Sequence, residues 1–139
     1  MKNKAPLAMM ELSLMLLVFA LCAVACLRCF LWADRQSALS AARDEALLRA
    51  QCAAELLKDN RGDFSACAQR YGGEWDDEAW VIRYNGSWAQ TDTDHTYTLR
   101  CTRQDSGHPL LGLARVEVFS GGESLVRLEP AWQEVTGHG

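Results

Sequence analysis

Between Pro6 and Gly62 the chain contains neither glycine nor proline, although its 139 residues include 10 Gly and 3 Pro. The two residues that most oppose a helix are therefore missing from one long stretch. Basic residues are also scarce. Fourteen Lys and Arg against 18 Asp and Glu leave a formal charge of −4 and a pI near 5.3. No basic stripe exists that could follow a phosphate backbone, so no nucleic-acid contact is expected. Six cysteines are too few for a disulfide scaffold, in which cysteine usually exceeds about 8–10%. Three histidines, His95, His108 and His138, stand at no zinc-ligand spacing with a cysteine pair. A nucleophile elbow, a phosphate-binding glycine loop and an HExxH motif are all missing. The sequence thus predicts no cofactor, no metal centre and no enzymatic activity.

What is present is unevenly distributed. Residues 12–27 are 16 consecutive positions without a charge. The wider apolar stretch runs from Leu7 to Trp32, broken only by Glu11 and Arg28. A membrane-spanning helix needs roughly 20 apolar residues, and 7–27 supplies them if Glu11 is tolerated. Lys2, Lys4 and the terminal amine lie on the short side, so the positive-inside rule predicts a cytoplasmic N-terminus and a C-terminal part outside. Beyond residue 33 the chain carries 17 Asp or Glu and 11 Lys or Arg. Two other readings stay open. Ala23-Val24-Ala25 fits a signal-peptidase site, and Cys26 after it could be a lipidated first residue. The length of the run and its continuation through Phe30, Leu31 and Trp32 favour a retained anchor.

After Asp34 the composition turns to Ala, Leu, Arg, Glu and Gln, all strong helix formers. Leu39, Ala42, Ala46, Ala50, Ala53 and Leu57 fall at intervals of three and four, which places them on one helical face. Pro6 suits a first helical turn, and Asn60-Arg61-Gly62-Asp63 supplies a stop. One helix over about 7–58 is the economical expectation, with two helices meeting near Asp34 as the alternative. The remainder alternates like strands: 79–84, 87–91 returning from an Asn85-Gly86 turn, 95–102, 113–119, and 124–128 after Ser120-Gly121-Gly122-Glu123. These predict an antiparallel sheet of three to five strands covering the amphipathic half of the helix, an α+β fold. The expected divisions are a leader over 1–6, a transmembrane half over 7–33, an amphipathic half over 34–60 and a β domain over 61–139.

Several groups of side chains are candidate sites. Cys22, Cys26 and Cys29 share a helical face and read as small packing residues that let helices approach closely. Cys52, Cys67 and Cys101 lie in the outer part, where disulfides can form. Three is an odd number, and Cys67 with Cys101 is the expected pair, linking the post-helix loop to a strand. Asp92-Thr93-Asp94-His95 reads as an exposed turn rather than a carboxylate–histidine site. Glu74, Asp76, Asp77 and Glu78, flanked by Trp75 and Trp80, read as a solvated loop rather than a calcium site. Asn85-Gly86-Ser87 matches a glycosylation sequon, but its role as a turn accounts for it.

A short basic leader, an apolar helix with one acid near its start, an amphipathic extension and a small antiparallel sheet together resemble the type IV pilin-like proteins. The likeness is to minor pilins and type II secretion pseudopilins, and the hairpin around 114–128 is similar as well. The resemblance covers the whole chain in architecture and rests in motif on residues 2–32. It implies a structural subunit of a pilus, competence or secretion-type filament. It implies as partners other pilin-like subunits met through the N-terminal helix, the cytoplasmic membrane, a prepilin peptidase and an assembly platform. Aligning Glu11 with the family's acidic position makes Leu7 the first residue of the processed chain and Pro6 the residue before the cut, where the family has glycine. In the family that acid is thought to engage the N-terminal amine of a neighbouring subunit. A carboxylate costs roughly 2.5–3.5 kcal/mol at mid-membrane on insertion scales, so a buried Glu11 calls for a partner, whereas one at the interface is simply solvated. The alternative function is a membrane-anchored or lipidated extracytoplasmic binding domain outside any filament.

Overall fold

The computed structural model describes residues 4–134. The chain is α+β. Helix α1 spans Ala5–Asp59 and α2 Phe64–Tyr71; the strands are β1 Glu74–Trp75, β2 Ala79–Tyr84, β3 Tyr97–Gln104, β4 Leu111–Ser120, β5 Glu123–Leu128 and β6 Ala131–Gln133. α1 is one continuous helix, as an interval free of glycine and proline predicts, and the two-helix alternative is not what forms. Two compact units are distinguished, one ending at Ala41 and one beginning at Ala42.

In the second unit all neighbouring strands pair antiparallel, in the order β1-β2-β3-β4-β5, with β6 also on β4. β5 pairs with Val116–Ser120 and β6 with Leu111–Leu113, so the two follow one another along the edge of β4 that β3 leaves free. Cross-strand rows Trp80–Cys101–Val116 and Ile82–Leu99–Val118 line the covered face, and all six side chains are buried. Against them α1 sets Ala46, Ala50, Ala53, Ala54 and Leu57, also buried. The complement is steric: methyl groups let the helix backbone approach a sheet surface already filled by Trp80, Tyr84 and Ile82. The expected face is correct from Ala46 onward, but Leu39 is 40% exposed because it belongs to the other unit.

Three expectations need correction. Cys67 lies on helix α2, not in a post-helix loop. Asp63 caps this helix by accepting from the amide of Ala66 at 3.2 Å, and eight residues are too few for a readable period. Residues 87–91 are not a return strand; a single bridge, Tyr84 to Gln90, is all that forms. The Asn85 carboxamide oxygen accepts from the amides of Ser87 and Ala89 and from the Ser87 hydroxyl, at 3.0, 3.0 and 2.8 Å, and this coils the segment. A two-residue hairpin of the favoured type needs left-handed backbone at both turn residues. Here it is Trp88 that takes φ +63°, stacking on Tyr97 with ring centroids 3.9 Å apart. The third correction is the strand count, six among the described residues rather than three to five: β1 and β6 have two and three residues, below the length at which alternation can be seen.

Gly112 shows how closely β6 is applied. A Cβ built there would land on the Trp132 indole, and the ring cannot retreat because it also lies over Gly62. Gly112→Ala should therefore cost about 1–3 kcal/mol, the range for overpacking a close-packed site. Thermal melting of the detergent-solubilised chain checks this, and an unchanged midpoint would show that Trp132 can move aside.

The core also fixes a response to alkali. Burial raises the Cys101 thiol above its ordinary 9.0, helped by the neighbouring Cys67. Burial likewise raises the Tyr84 hydroxyl above its ordinary 10.0, with Tyr71 adding to it. The unfolded chain releases these protons at lower pH than the folded one, so the contribution is complete below pH 9 and declines as pH rises. The unfolding free energy of the reduced protein should fall from about pH 9 upward through Cys101 and from about pH 10 upward through Tyr84, by up to about 1.4 kcal/mol per pH unit for each group. A flat profile to pH 11 would contradict it.

Candidate functional site: the apolar helix and its charges

The most unusual surface of this protein is the N-terminal half of α1. Its most apolar 18-residue window has a mean hydropathy of 2.6, and none of that window is buried. Every large apolar side chain from Leu7 to Trp32 is 52–74% exposed. Soluble monomers rarely show apolar patches beyond a few hundred Å². Covering each such side chain is worth about 1.5–3 kcal/mol, which over the sixteen of them amounts to tens of kcal/mol. The helix is long and apolar enough to span a membrane.

Pro6 and Leu7 stand in the first turn, where Ala8 donates its amide to the carbonyl of Lys4 at 3.1 Å. Proline has no amide to lose at that position. Ser13 returns its hydroxyl to the Met9 carbonyl at 2.8 Å, so its polarity is satisfied within the helix. Glu11 and Arg28 are exposed, and among the described residues neither takes part in an ion pair. Two opposite charges on an otherwise apolar surface are its only strong handles. Cys22, Cys26 and Cys29 are exposed thiols on the same segment.

The outer-part candidates are placed differently. Cys67 and Cys101 are both buried in the one core cluster, carried as free thiols. The Cys67 thiol donates to the Leu56 carbonyl at 3.5 Å. Asp76 accepts from the amides of Ala79 and Glu78 at 2.7 and 2.8 Å, and those bonds hold its carboxyl below the usual range. Glu74 pairs with Arg83 at 2.8 Å. The acidic cluster is thus the turn into β2. Among the described residues no three His, Cys, Asp or Glu side chains are grouped to hold a metal. His95 is exposed in the turn before β3, and the His108 ring accepts from the amide of Leu110 at 3.3 Å; His138 lies outside the described residues.

Sequence reasoning missed one surface feature, a depression of about 600 Å³ lined by Asp77, Arg100, Arg103, Gln104, Trp132 and Glu134 among others. Arg103 is already committed there, donating to the Gly62 carbonyl at 2.9 Å and lying over the Phe64 ring. Its lining comes from strands far apart in the chain, so no local motif announces it.

No protein-family model, curated protein or solved structure matches this chain.

Proposed function

We propose that this chain is a structural subunit, a minor pilin or pseudopilin, of a type IV pilus, competence or type II secretion-like filament. The apolar half of α1 anchors it in the cytoplasmic membrane with Lys2 and Lys4 inside. The same half then packs among equivalent helices of other subunits, while the sheet-bearing unit stays outside. Its action is assembly rather than catalysis. The observation that carries this reading is the exposed apolar half of α1 with a single carboxylate less than two turns from its start. A plain anchor gains nothing from that charge, whereas an assembling helix gains a point of registration. The α+β unit built on the other half of the same helix supports the reading.

Intact mass and N-terminal sequencing of the protein from its native membrane test it. A chain beginning at Leu7, bare or N-methylated, is expected, with Pro6 ending the removed leader. A lipidated chain beginning at Cys26 would remove Glu11 from the mature protein and overturn the proposal in favour of a lipid-anchored domain.

A further inference from the structure

The resemblance offers a neighbour's terminal amine as the group that Glu11 meets; the helix itself offers another, and the following rests on the filament reading. We infer that Glu11 of one subunit pairs with Arg28 of a neighbouring copy, and that this pair sets the axial offset between them. Seventeen residues separate the two charges along one continuous helix, a rise of about 26 Å at 1.5 Å per residue. In the bilayer, whose hydrocarbon is about 30 Å thick, that spacing puts them near opposite interfaces. Copies inserted side by side in the same orientation therefore cannot bring them together. Only when one copy is lifted outward by about 26 Å does its Glu11 reach the level of its neighbour's Arg28. The side chains allow about one helical turn, 5.4 Å, either way.

Arg28 is the cation that the apolar segment carries under any processing. The terminal amine that cleavage beside Pro6 frees would register with Glu11 at a much smaller offset of about 6 Å, so the offset tells the two pairings apart. Guanidinium and carboxylate also match as a two-point, charge-assisted pair. The contact joins different patches on the two copies, so it does not close on itself. Each lifted subunit presents its own Arg28 to the next, which is the geometry of an open chain.

The test is a charge exchange in the full-length protein in its native cell, scored as the amount recovered in sheared filaments against the amount in membranes. Glu11→Arg and Arg28→Glu should each lower recovery at least about tenfold, as expected when one half of a buried pair is removed. The double exchange should return it to within about threefold of wild type, and Arg28→Lys should retain most of it. Resistance to carbonate extraction, equal in all variants, confirms insertion. A double exchange no better than the worse single one would overturn the pairing while leaving the filament reading intact. Wild-type protein missing from the filaments would overturn both.

Discussion

If the chain assembles as proposed, Glu11→Ala should reduce incorporation into filaments by an order of magnitude or more while membrane insertion stays the same or improves. The two effects have opposite signs for one physical reason. A carboxylate costs roughly 2.5–3.5 kcal/mol at the centre of the bilayer on insertion scales and less towards the interface, so removing it leaves the lipid-embedded state unchanged or favoured. The same carboxylate is the sole anion among exposed apolar side chains from Leu7 to Trp32, and apolar contacts alone slide freely along the helix axis. Losing even about 1.4 kcal/mol of a register-specific contact lowers the assembled fraction tenfold. The measurement is the ratio of filament to membrane protein, alongside carbonate extraction. Unchanged incorporation would mean that Glu11 is merely solvated at the interface. Glu11→Asp, which keeps the charge on a shorter stem, should fall between alanine and wild type.

Trp80→Ala should be the most damaging single change in the outer unit. The side chain is fully buried between Cys101 on β3 and the short β1. Its indole donates to the Gly72 carbonyl at 2.9 Å, closing the end of α2. Its ring meets Tyr71 edge-on, centroids 6.4 Å apart at 80°, the favoured geometry for aromatic pairs. Truncation loses the transfer energy, opens a cavity beneath the alanine face of α1 and strands a carbonyl, for about 3–5 kcal/mol in total. A small domain holds only about 5–15 kcal/mol, so the variant should melt far lower or accumulate as a degraded anchor. Near-ultraviolet circular dichroism and limited proteolysis follow it. A loss below about 1 kcal/mol would show that the site collapses around the missing ring. Trp80→Phe, which keeps the ring but not the donor, should cost less.

The long elements could be read without the structure, and the short ones could not. Fifty-five residues without a helix breaker extend far beyond any ambiguity of period, and the observed Ala5–Asp59 departs from the expected 7–58 by one or two residues at either end. The strands 79–84, 113–119 and 124–128 were legible because one face of a covered sheet must alternate. Strand β3 sits two residues later than 95–102 suggests, since Thr96 is spent donating its amide to the Tyr84 carbonyl at 2.8 Å. The coil at 85–91 departs from the expected return strand for the same kind of reason. Asn-Gly signals a tight turn, yet a carboxamide with three donors in reach stabilises a different one, and whether Trp88 is drawn inward depends on Tyr97 being there to receive it.

The charges of the candidate site were fully visible in the chain: Glu11 and Arg28 interrupt an apolar run, and hydropathy is a property of composition. So were the apolar half of α1 and the face of Ala46, Ala50, Ala53 and Leu57 that follows it, because each depends on residues close together in sequence. Only the tertiary structure decided where the sheet begins to cover α1, at Ala46 rather than at Leu39. It likewise placed β5 and β6 end to end on β4, put Cys67 in a helix against the core, and laid Trp132 across Gly62 and Gly112. Each of those outcomes depends on surfaces brought together from distant parts of the chain, and close packing between them is decided by shape, which local sequence does not encode.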